Sequence, residues 1–133
     1  MTKNYCNNKA LHEKIMSGVA KLTDNVASTL GPRGRNVILC KEGAPPIITK
    51  DGVTVAQFVD LEDPFENVAA QIVKQAASQT NNVAGDGTTT STVLCRAILE
   101  EAQRFLAVGA SPVELKRGMD KAVDEMCRRL DDM

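Results

Sequence analysis

Apolar residues recur every three or four positions along most of the chain, a spacing that predicts helices. Within residues 9–30 they fall on one helical face, at Leu11, Ile15, Val19, Leu22, Val26 and Leu30. Gly31 and Pro32 should end this helix, because glycine accepts the left-handed conformation after a helix and proline cannot continue one. The chain is therefore expected to begin with an amphipathic helix that packs by a single face.

Two short segments with a different pattern follow this helix. Residues 37–40 are a β-branched run that predicts a short buried strand, and residues 47–49 predict a return strand. With the proline-containing loop 41–46 between them, they should form a small hairpin. Residues 50–52 make the next turn, and residues 53–58 are ambiguous, with a helix favoured.

Three further helices are predicted in the rest of the chain. The first covers about residues 64–83, with Asp63 as its N-cap and Pro64 at the first helical position. The second covers residues 88–108 and stops at a glycine, and the last covers about residues 111–130. The predicted fold class is mainly α, a helical bundle with a small β-hairpin.

The amino-acid composition argues against two classes of partner, nucleic acids and membranes. Apolar residues make up 43% of the chain but aromatic residues only 3%, so the core must be built from aliphatic side chains. Sixteen basic and seventeen acidic residues leave a net charge of −1 without any Lys/Arg block, which argues against a nucleic-acid partner. No apolar run approaches the roughly 18 residues that a membrane span needs, so no membrane partner is predicted. The length suits one domain.

Cysteine usage points to a reducing compartment. The four cysteines are far apart and form no C-x-x-C pair, so the spacing of metal ligands is absent from Cys6, Cys40, Cys95 and Cys127. Four cysteines allow two disulfides, but without a secretory signal we expect reduced thiols. His12, the only histidine, is expected at the surface. These features predict a soluble cytoplasmic protein.

The most distinctive chemistry lies in residues 85–92, with the sequence GDGTTTST. Two glycines around Asp86 permit a close backbone turn, and a helix that starts at Thr88 presents unpaired N–H groups that attract anions. The hydroxyls of Thr88, Thr89 and Thr90 add hydrogen-bond donors. Asp86 repels phosphate and so suits Mg²⁺, which bridges to phosphate oxygens. The alternative is an ordinary interhelical turn with Thr88 as N-cap.

Two other turns combine glycine with an oxygen ligand or a charge, at residues 29–32 and at residues 50–52. If the helices are neighbours, the three turns can gather at one end and surround a triphosphate. Gly31 would allow close backbone approach, and Lys50 would act as a countercharge or a backbone ligand. Asp51 would be a second carboxylate near the γ-phosphate, unless it only makes an Asp-Gly hairpin turn. The chain has no Walker motif, so such a site is of another type.

Five segments make the chain recognisable: TLGPRGRNV at 29–37, ITKDGVTV at 48–55, LEDPFEN at 61–67, AGDGTTT at 84–90 and PVELKRGMDKAV at 112–123. In order and spacing they closely resemble the N-terminal equatorial segment of group I chaperonins of the GroEL type. The resemblance covers about residues 10–130. It implies that residues 1–133 are the N-terminal part of a chaperonin equatorial, ATP-binding domain.

This resemblance also implies an ATP-driven folding chaperone with Mg²⁺ and K⁺ as cofactors. The positions that match the family's nucleotide contacts are Thr29, Leu30, Gly31, Pro32, Lys50, Asp86, Gly87, Thr88, Thr89 and Thr90. Asp86 would hold Mg²⁺, the backbone oxygens of Thr29 and Lys50 would lie near K⁺, and Asp51 matches a carboxylate close to the hydrolytic centre. The implied partners are identical subunits in a seven-membered ring, unfolded client proteins and a lid co-chaperonin.

The chain departs from the family pattern in three places. The intermediate domain, the apical domain and the returning half of the equatorial domain are missing, so clients and the lid would bind through domains outside this chain. The hairpin loop at 40–46 is shuffled and lacks its aromatic residue, and residues 1–9 also differ, which affects contacts that pair neighbouring subunits in the family. Half a domain should expose a wide apolar face, and we expect weak stability or self-association.

Two functions follow from these observations. The first is a subunit segment of an ATPase chaperonin, expected to be inactive in hydrolysis without the rest of the protein. The alternative is a short chaperonin-derived module for interaction or assembly that does not turn over ATP.

Overall fold

The computed structural model describes residues 8–133, which form five helices and a two-stranded sheet. The elements in chain order are α1 (Asn8–Ala27), β1 (Val37–Leu39), β2 (Ile47–Thr49), α2 (Gly52–Phe58), α3 (Pro64–Ala84), α4 (Thr88–Ala107) and α5 (Pro112–Asp131). The predicted fold class, mainly helical with a small hairpin, is confirmed. The chain divides into two compact units, one ending at Ala97 and the other running from Ile98 to Met133.

The core of the first unit lies between α1 and α3, which is the main packing partner of α1. Its buried side chains are those of Val19, Leu22, Val26, Ala69, Ala70, Val73 and Ala77, with Val55 and Ala56 contributed by α2. The predicted apolar face of α1 is therefore largely correct, but its last member is not. Leu30 is 46% exposed, because α1 ends at Ala27 and the chain has already turned.

The hairpin is antiparallel, with Val37 opposite Thr49 and Leu39 opposite Ile47. The prediction of a buried strand at residues 37–40 is wrong. Only Leu39 is buried, whereas Ile38 is 64% exposed, and β1 ends before Cys40. Side chains alternate between the two faces of a strand, and the paired Ile38 and Ile48 are both more than half exposed, so their face of the hairpin is open.

Both ends of α3 follow from local chemistry. Asp63 caps its start as predicted, since its Oδ1 accepts hydrogen bonds from the N–H groups of Phe65 and Glu66, at 2.9 and 3.2 Å. Pro64 occupies the first turn, where its missing N–H is not needed. Gly85 ends the helix in the left-handed conformation at φ 71°. The helix thus extends one residue past the predicted boundary.

The backbones of α1 and α3 come very close at Gly18. A Cβ atom placed on this glycine would lie 2.8 Å from both the carbonyl carbon and the Cα of Glu66, and nearer still to the carbonyl oxygen. Around this point Ser17 donates to the Glu66 carboxylate at 2.8 Å, and Lys21 donates to it at 2.5 Å. Lys14 pairs with Asp63 beside them. Polar contacts therefore flank a backbone-to-backbone packing point.

This pairing predicts that the first unit loses stability in acid. The Lys21 ammonium and the Ser17 hydroxyl lower the pKa of Glu66, and Lys14 lowers that of Asp63. A carboxyl whose pKa is depressed by folding adds stability above its ordinary pKa of about 4, and this stability is lost as the pH falls through the folded-state value. We therefore expect the midpoint of unfolding, measured by circular dichroism at a series of pH values, to fall once the pH is below about 4.

Glu66→Gln is the informative variant for this prediction. It keeps the shape of the side chain but removes the titrating group, so the pH dependence of the midpoint should flatten. Glu101→Gln, in an exposed pair with Arg104, is the matched control and should keep the parental slope. A Glu66→Gln protein with the parental slope would contradict the argument.

The second unit contains the end of α4, a turn and α5. Gly109, at φ 91°, ends α4, with its N–H donating to the Leu106 carbonyl and the Ala110 N–H donating to that of Phe105, both at 3.0 Å. No residue of α5 is buried. Its exposed apolar side chains are Val113, Met119, Val123, Met126 and Leu130.

Exposed apolar surface is also extensive in the first unit, where Val68, Ile72, Val83 and Leu94 are each more than half exposed. Exposed apolar side chains are thus present in both units. Among residues 8–133, no helix combines the length and apolar character needed to cross a membrane.

The predicted surface position of His12 is confirmed. His12 is exposed. Cys40, Cys95 and Cys127 carry free thiols, and burial raises the pKa of the Cys95 thiol. Cys6 lies outside the described residues, as does most of the N-terminal segment 1–9.

Candidate functional site

The candidate site is organised around Gly52, the first residue of α2. This glycine is buried, and a Cβ atom placed on it would lie under 3.0 Å from Oγ1 of Thr89 and 3.3 Å from its Cβ. The same atom would lie 3.4 Å from Cγ1 of Val26, in the last turn of α1. The end of α1, the start of α2 and the first turn of α4 therefore meet at one point.

The turn at residues 29–32 follows directly from the end of α1. Thr29 is buried, and its hydroxyl donates to the Val26 carbonyl at 2.7 Å. Gly31 has φ 74°, and the space where its Cβ would stand is open, with nothing within 4 Å. Leu30 and Pro32 are exposed. The backbone at Gly31 is therefore accessible.

Gly34 packs its backbone over the same turn. A Cβ placed here would lie 2.7 Å from the carbonyl carbon of Thr29 and 3.0 Å from the Gly31 oxygen. The Gly34 N–H donates to that Gly31 oxygen at 3.0 Å, and the Arg35 N–H donates to the Ser28 carbonyl at 2.8 Å. Only glycine fits at this position. The two hydrogen bonds hold residues 34 and 35 against the Thr29–Pro32 turn.

Asp51 is the N-cap of α2, and this contradicts the alternative of an Asp-Gly hairpin turn. Its carboxylate accepts hydrogen bonds from the Thr54 hydroxyl at 2.6 Å, the Thr54 N–H at 2.9 Å and the Val53 N–H at 3.3 Å. The Thr54 hydroxyl is the main cause of a lowered pKa at Asp51. A carboxylate with a lowered pKa is a weak proton acceptor, so these hydrogen bonds make Asp51 poorly suited to act as a general base. Lys50, just before it, is exposed.

The loop at residues 85–87 is built by two glycines in the left-handed region, Gly85 at φ 71° and Gly87 at φ 79°. Asp86 between them is exposed, and one of its oxygens accepts a hydrogen bond from the Gly87 N–H at 2.6 Å. Helix α4 starts at Thr88, and the Ser91 N–H donates to the Gly87 carbonyl at 2.8 Å. Gly87, rather than Thr88, therefore stands at the N-cap position.

The start of α4 offers backbone donors beside this carboxylate. The N–H groups of Thr88, Thr89 and Thr90 come before the first intrahelical bond, so the helix itself does not satisfy them. Thr88 is buried and Thr90 is exposed. A hydrogen bond of 3.2 Å between the Thr80 and Ser91 hydroxyls ties this turn to the end of α3. The arrangement suits a phosphate group.

A Mg²⁺ ion fits the same place only as part of a complex with phosphate. Within residues 8–133 no group of three or more His, Cys, Asp or Glu side chains could hold a metal ion. Magnesium, however, usually keeps several waters and takes one or two carboxylates together with phosphate oxygens. Asp86 has remaining lone pairs after bonding Gly87. The donor set therefore fits Mg²⁺ bound with a nucleotide.

Sequence reasoning missed the structural roles of Gly34, Gly52 and Lys74. Lys74 of α3 donates to the carbonyl oxygens of Gln57 and Val59 at the end of α2, and burial lowers its pKa. It also lines a polar groove of about 440 Å³ with the side chains of Gln57, Gln71, Gln75, Ser78, Gln79 and Asn82. The available signal was that Lys74 is the one lysine of α3.

Comparison with known proteins decides the family. Residues 22–133 match the model of the TCP-1/cpn60 chaperonin family. The chain belongs to this family. It is 59% identical over 110 residues to chaperonin GroEL 1 of Rhodopirellula baltica, an alignment that covers 83% of this chain and 19% of that protein.

A solved structure supports the fold of this chaperonin chain. It is similar to the crystal structure, obtained in the presence of ATP-BeFx, of the chaperonin gp146 from the bacteriophage EL 2 of Pseudomonas aeruginosa. The TM-score is 0.80 with 30% sequence identity, covering 94% of this chain and 22% of the phage chaperonin. The chain thus spans about a fifth of the length of these two relatives. The predicted family and fold are confirmed.

Proposed function

We propose that this chain is the ATP-binding, N-terminal part of the equatorial domain of a chaperonin subunit. The observation that carries the proposal is the meeting of the end of α1, the start of α2 and the first turn of α4 at Gly52, with the carboxylate of Asp86 in the loop just before that turn. Family membership supports it, as does the crystallisation of the phage chaperonin with an ATP analogue.

Each candidate residue has a distinct role in this proposal. The N–H groups and hydroxyls of Thr88, Thr89 and Thr90 bind phosphate oxygens at the helix start. Asp86 holds Mg²⁺, which neutralises charge on the phosphates. The turn formed by Thr29, Leu30, Gly31 and Pro32, together with Lys50, covers the nucleotide, and Gly87 lets the loop approach it.

Two further roles complete the proposed site. The backbone oxygens of Thr29 and Lys50 are the ligands for K⁺, a cation that prefers carbonyl oxygen. Asp51 is placed near the γ-phosphate, where its charge orients a cation or water. Its hydrogen bonds to Thr54 and Val53 hold the carboxylate on α2 rather than leaving it free to take a proton.

The remaining parts of the proposal concern the whole protein. ATP binding and hydrolysis drive protein folding in a seven-membered ring of identical subunits in the cytoplasm, and unfolded clients and a lid co-chaperonin bind through parts of the protein outside this chain. An interaction module without nucleotide turnover is not favoured, because the matching family and the relatives found are chaperonins.

Isothermal titration of the whole chain with Mg-ATP tests the proposal through Asp86→Asn. Loss of the carboxylate should weaken Mg-ATP binding at least about tenfold, which corresponds to roughly 1.4 kcal/mol. The substitution should weaken the binding of ATP in the presence of EDTA much less, because the carboxylate acts through the metal.

Asp124→Asn, which removes the same charge from an exposed position on α5, is the matched control and should bind Mg-ATP like the parent. A parent chain that does not bind Mg-ATP, or an Asp86→Asn chain that binds it as tightly as the control, would reject the proposed site.

A further inference from the structure

The contact between α2 and α4 admits no side chain at Gly52. Three atoms already occupy the surroundings of its missing Cβ: Oγ1 of Thr89 under 3.0 Å away, Cβ of Thr89 at 3.3 Å and Cγ1 of Val26 at 3.4 Å. The backbone at Gly52 is not in the left-handed region, so its conformation does not demand glycine. Steric space alone excludes larger residues here.

We propose that Gly52 is a positioning residue, which sets the distance between the carboxylate of Asp51 and the first turn of α4. This inference rests on the proposed nucleotide site, because that turn carries the phosphate-binding N–H groups. Gly52 itself touches no substrate in this account. Its effect reaches the ligand through Thr89.

Asp51 moves with α2 as one body. Its carboxylate is bonded to the N–H groups of Val53 and Thr54 and to the Thr54 hydroxyl, and its own N–H donates to the Thr49 hydroxyl at 3.0 Å. Any shift of the α2 start therefore carries the charge of Asp51 with it. Thr89 likewise moves with α4, because it is the second residue of that helix.

A methyl group at position 52 would drive these two bodies apart. The threonine hydroxyl cannot simply rotate away, because Thr89 is β-branched and rotation brings its methyl group toward the same space. The new contact would have to open to the ordinary separation of about 3.4 Å. Displacements of about 1 Å at a binding turn reduce function by large factors, up to about 100-fold in enzymes.

The test compares Gly52→Ala in two backgrounds, the parent chain and Thr89→Ser. Serine keeps the hydroxyl but loses the branched methyl, so it can turn away from an alanine at position 52. Titration with Mg-ATP should show at least about tenfold weaker binding for Gly52→Ala alone. In the Thr89→Ser background the same substitution should cost less than about threefold.

Gly118→Ala serves as the control for a glycine-to-alanine change. It lies in α5 at a position where an added Cβ meets nothing within 4 Å, and it should bind Mg-ATP like the parent. Equal binding by Gly52→Ala and the parent would overturn the inference. An equal loss of Mg-ATP affinity in both backgrounds would also overturn it, because a general destabilisation does not depend on which residue stands at position 89.

Amide NMR spectra of the chains without nucleotide separate this inference from the proposed function. Gly52→Ala should shift the resonances of Thr88, Thr89 and Thr90, and the double variant should return them toward those of Thr89→Ser. If the parent chain does not bind Mg-ATP, the nucleotide site is rejected, and unshifted amides then overturn the positioning role too. If Gly52→Ala alone fails to fold, the double variant decides: failure to fold in that background overturns the inference.

Discussion

Gly18→Ala is expected to disrupt the packing of α1 on α3 and to destabilise the first unit by about 3 kcal/mol or more, at the upper end of the range for overpacking. The reason is that the new methyl group would meet backbone atoms of Glu66, with two of them at 2.8 Å. Backbone atoms inside a helix cannot rotate away as a side chain can. The two helices would have to separate, which opens the core that they share.

Urea denaturation followed by circular dichroism measures this effect. Gly118→Ala is the control, because it makes the same change inside a helix but in open space, and alanine should raise helix stability there by about 0.5–1 kcal/mol. The two variants therefore have opposite expected signs. A Gly18→Ala chain as stable as the parent would mean that α1 and α3 are not held at this separation.

Leu22→Ala is expected to cost about 2–5 kcal/mol, comparable to the whole stability of a marginal domain. Leu22 is a fully buried side chain at 0% exposure, in the middle of the α1 face that packs on α3. Its truncation removes apolar surface from the core and leaves a cavity among neighbours that are mostly small. Alanines on α3 cannot expand to fill that space.

Leu94→Ala is the matched control for this truncation. It removes the same atoms from a helix of the same unit, but Leu94 is already 55% exposed, so the expected loss is at most about 1 kcal/mol. Denaturation midpoints of the two variants should differ accordingly. Similar losses at both positions would indicate that Leu94 is covered in solution, as self-association of the exposed apolar face would cause.

Local chemistry was sufficient to predict most helices and their ends. Asp63 followed by Pro64 predicted the start of α3, because a carboxylate cap and a missing N–H act within one turn of backbone. Gly109 predicted the end of α4, because glycine readily adopts the left-handed conformation that follows a helix. The helix start at Thr88 was also predictable, since it depends on neighbours in sequence.

Predictions were wrong where the answer depended on what covers a residue. The strand pattern at Ile38 indicates an extended conformation in any surroundings, but burial requires another layer, and that face of the hairpin is open. Leu30 fits the period of α1, yet the chain turns before reaching it. An Asp-Gly hairpin turn was the alternative considered for Asp51 and Gly52, and only the helix that follows them excludes it.

Spacing, caps and motif order, all properties of residues close along the chain, were therefore enough to establish the helices, the hairpin and the chaperonin family. The tertiary structure alone decided that Gly18 faces the backbone of Glu66 and that Gly52 faces Thr89. Both contacts join residues that are distant in sequence, and a glycine carries no side chain whose polarity or period could indicate its partner. Close approach of two backbones is a property of the packed helices, and it appears only once they are in place.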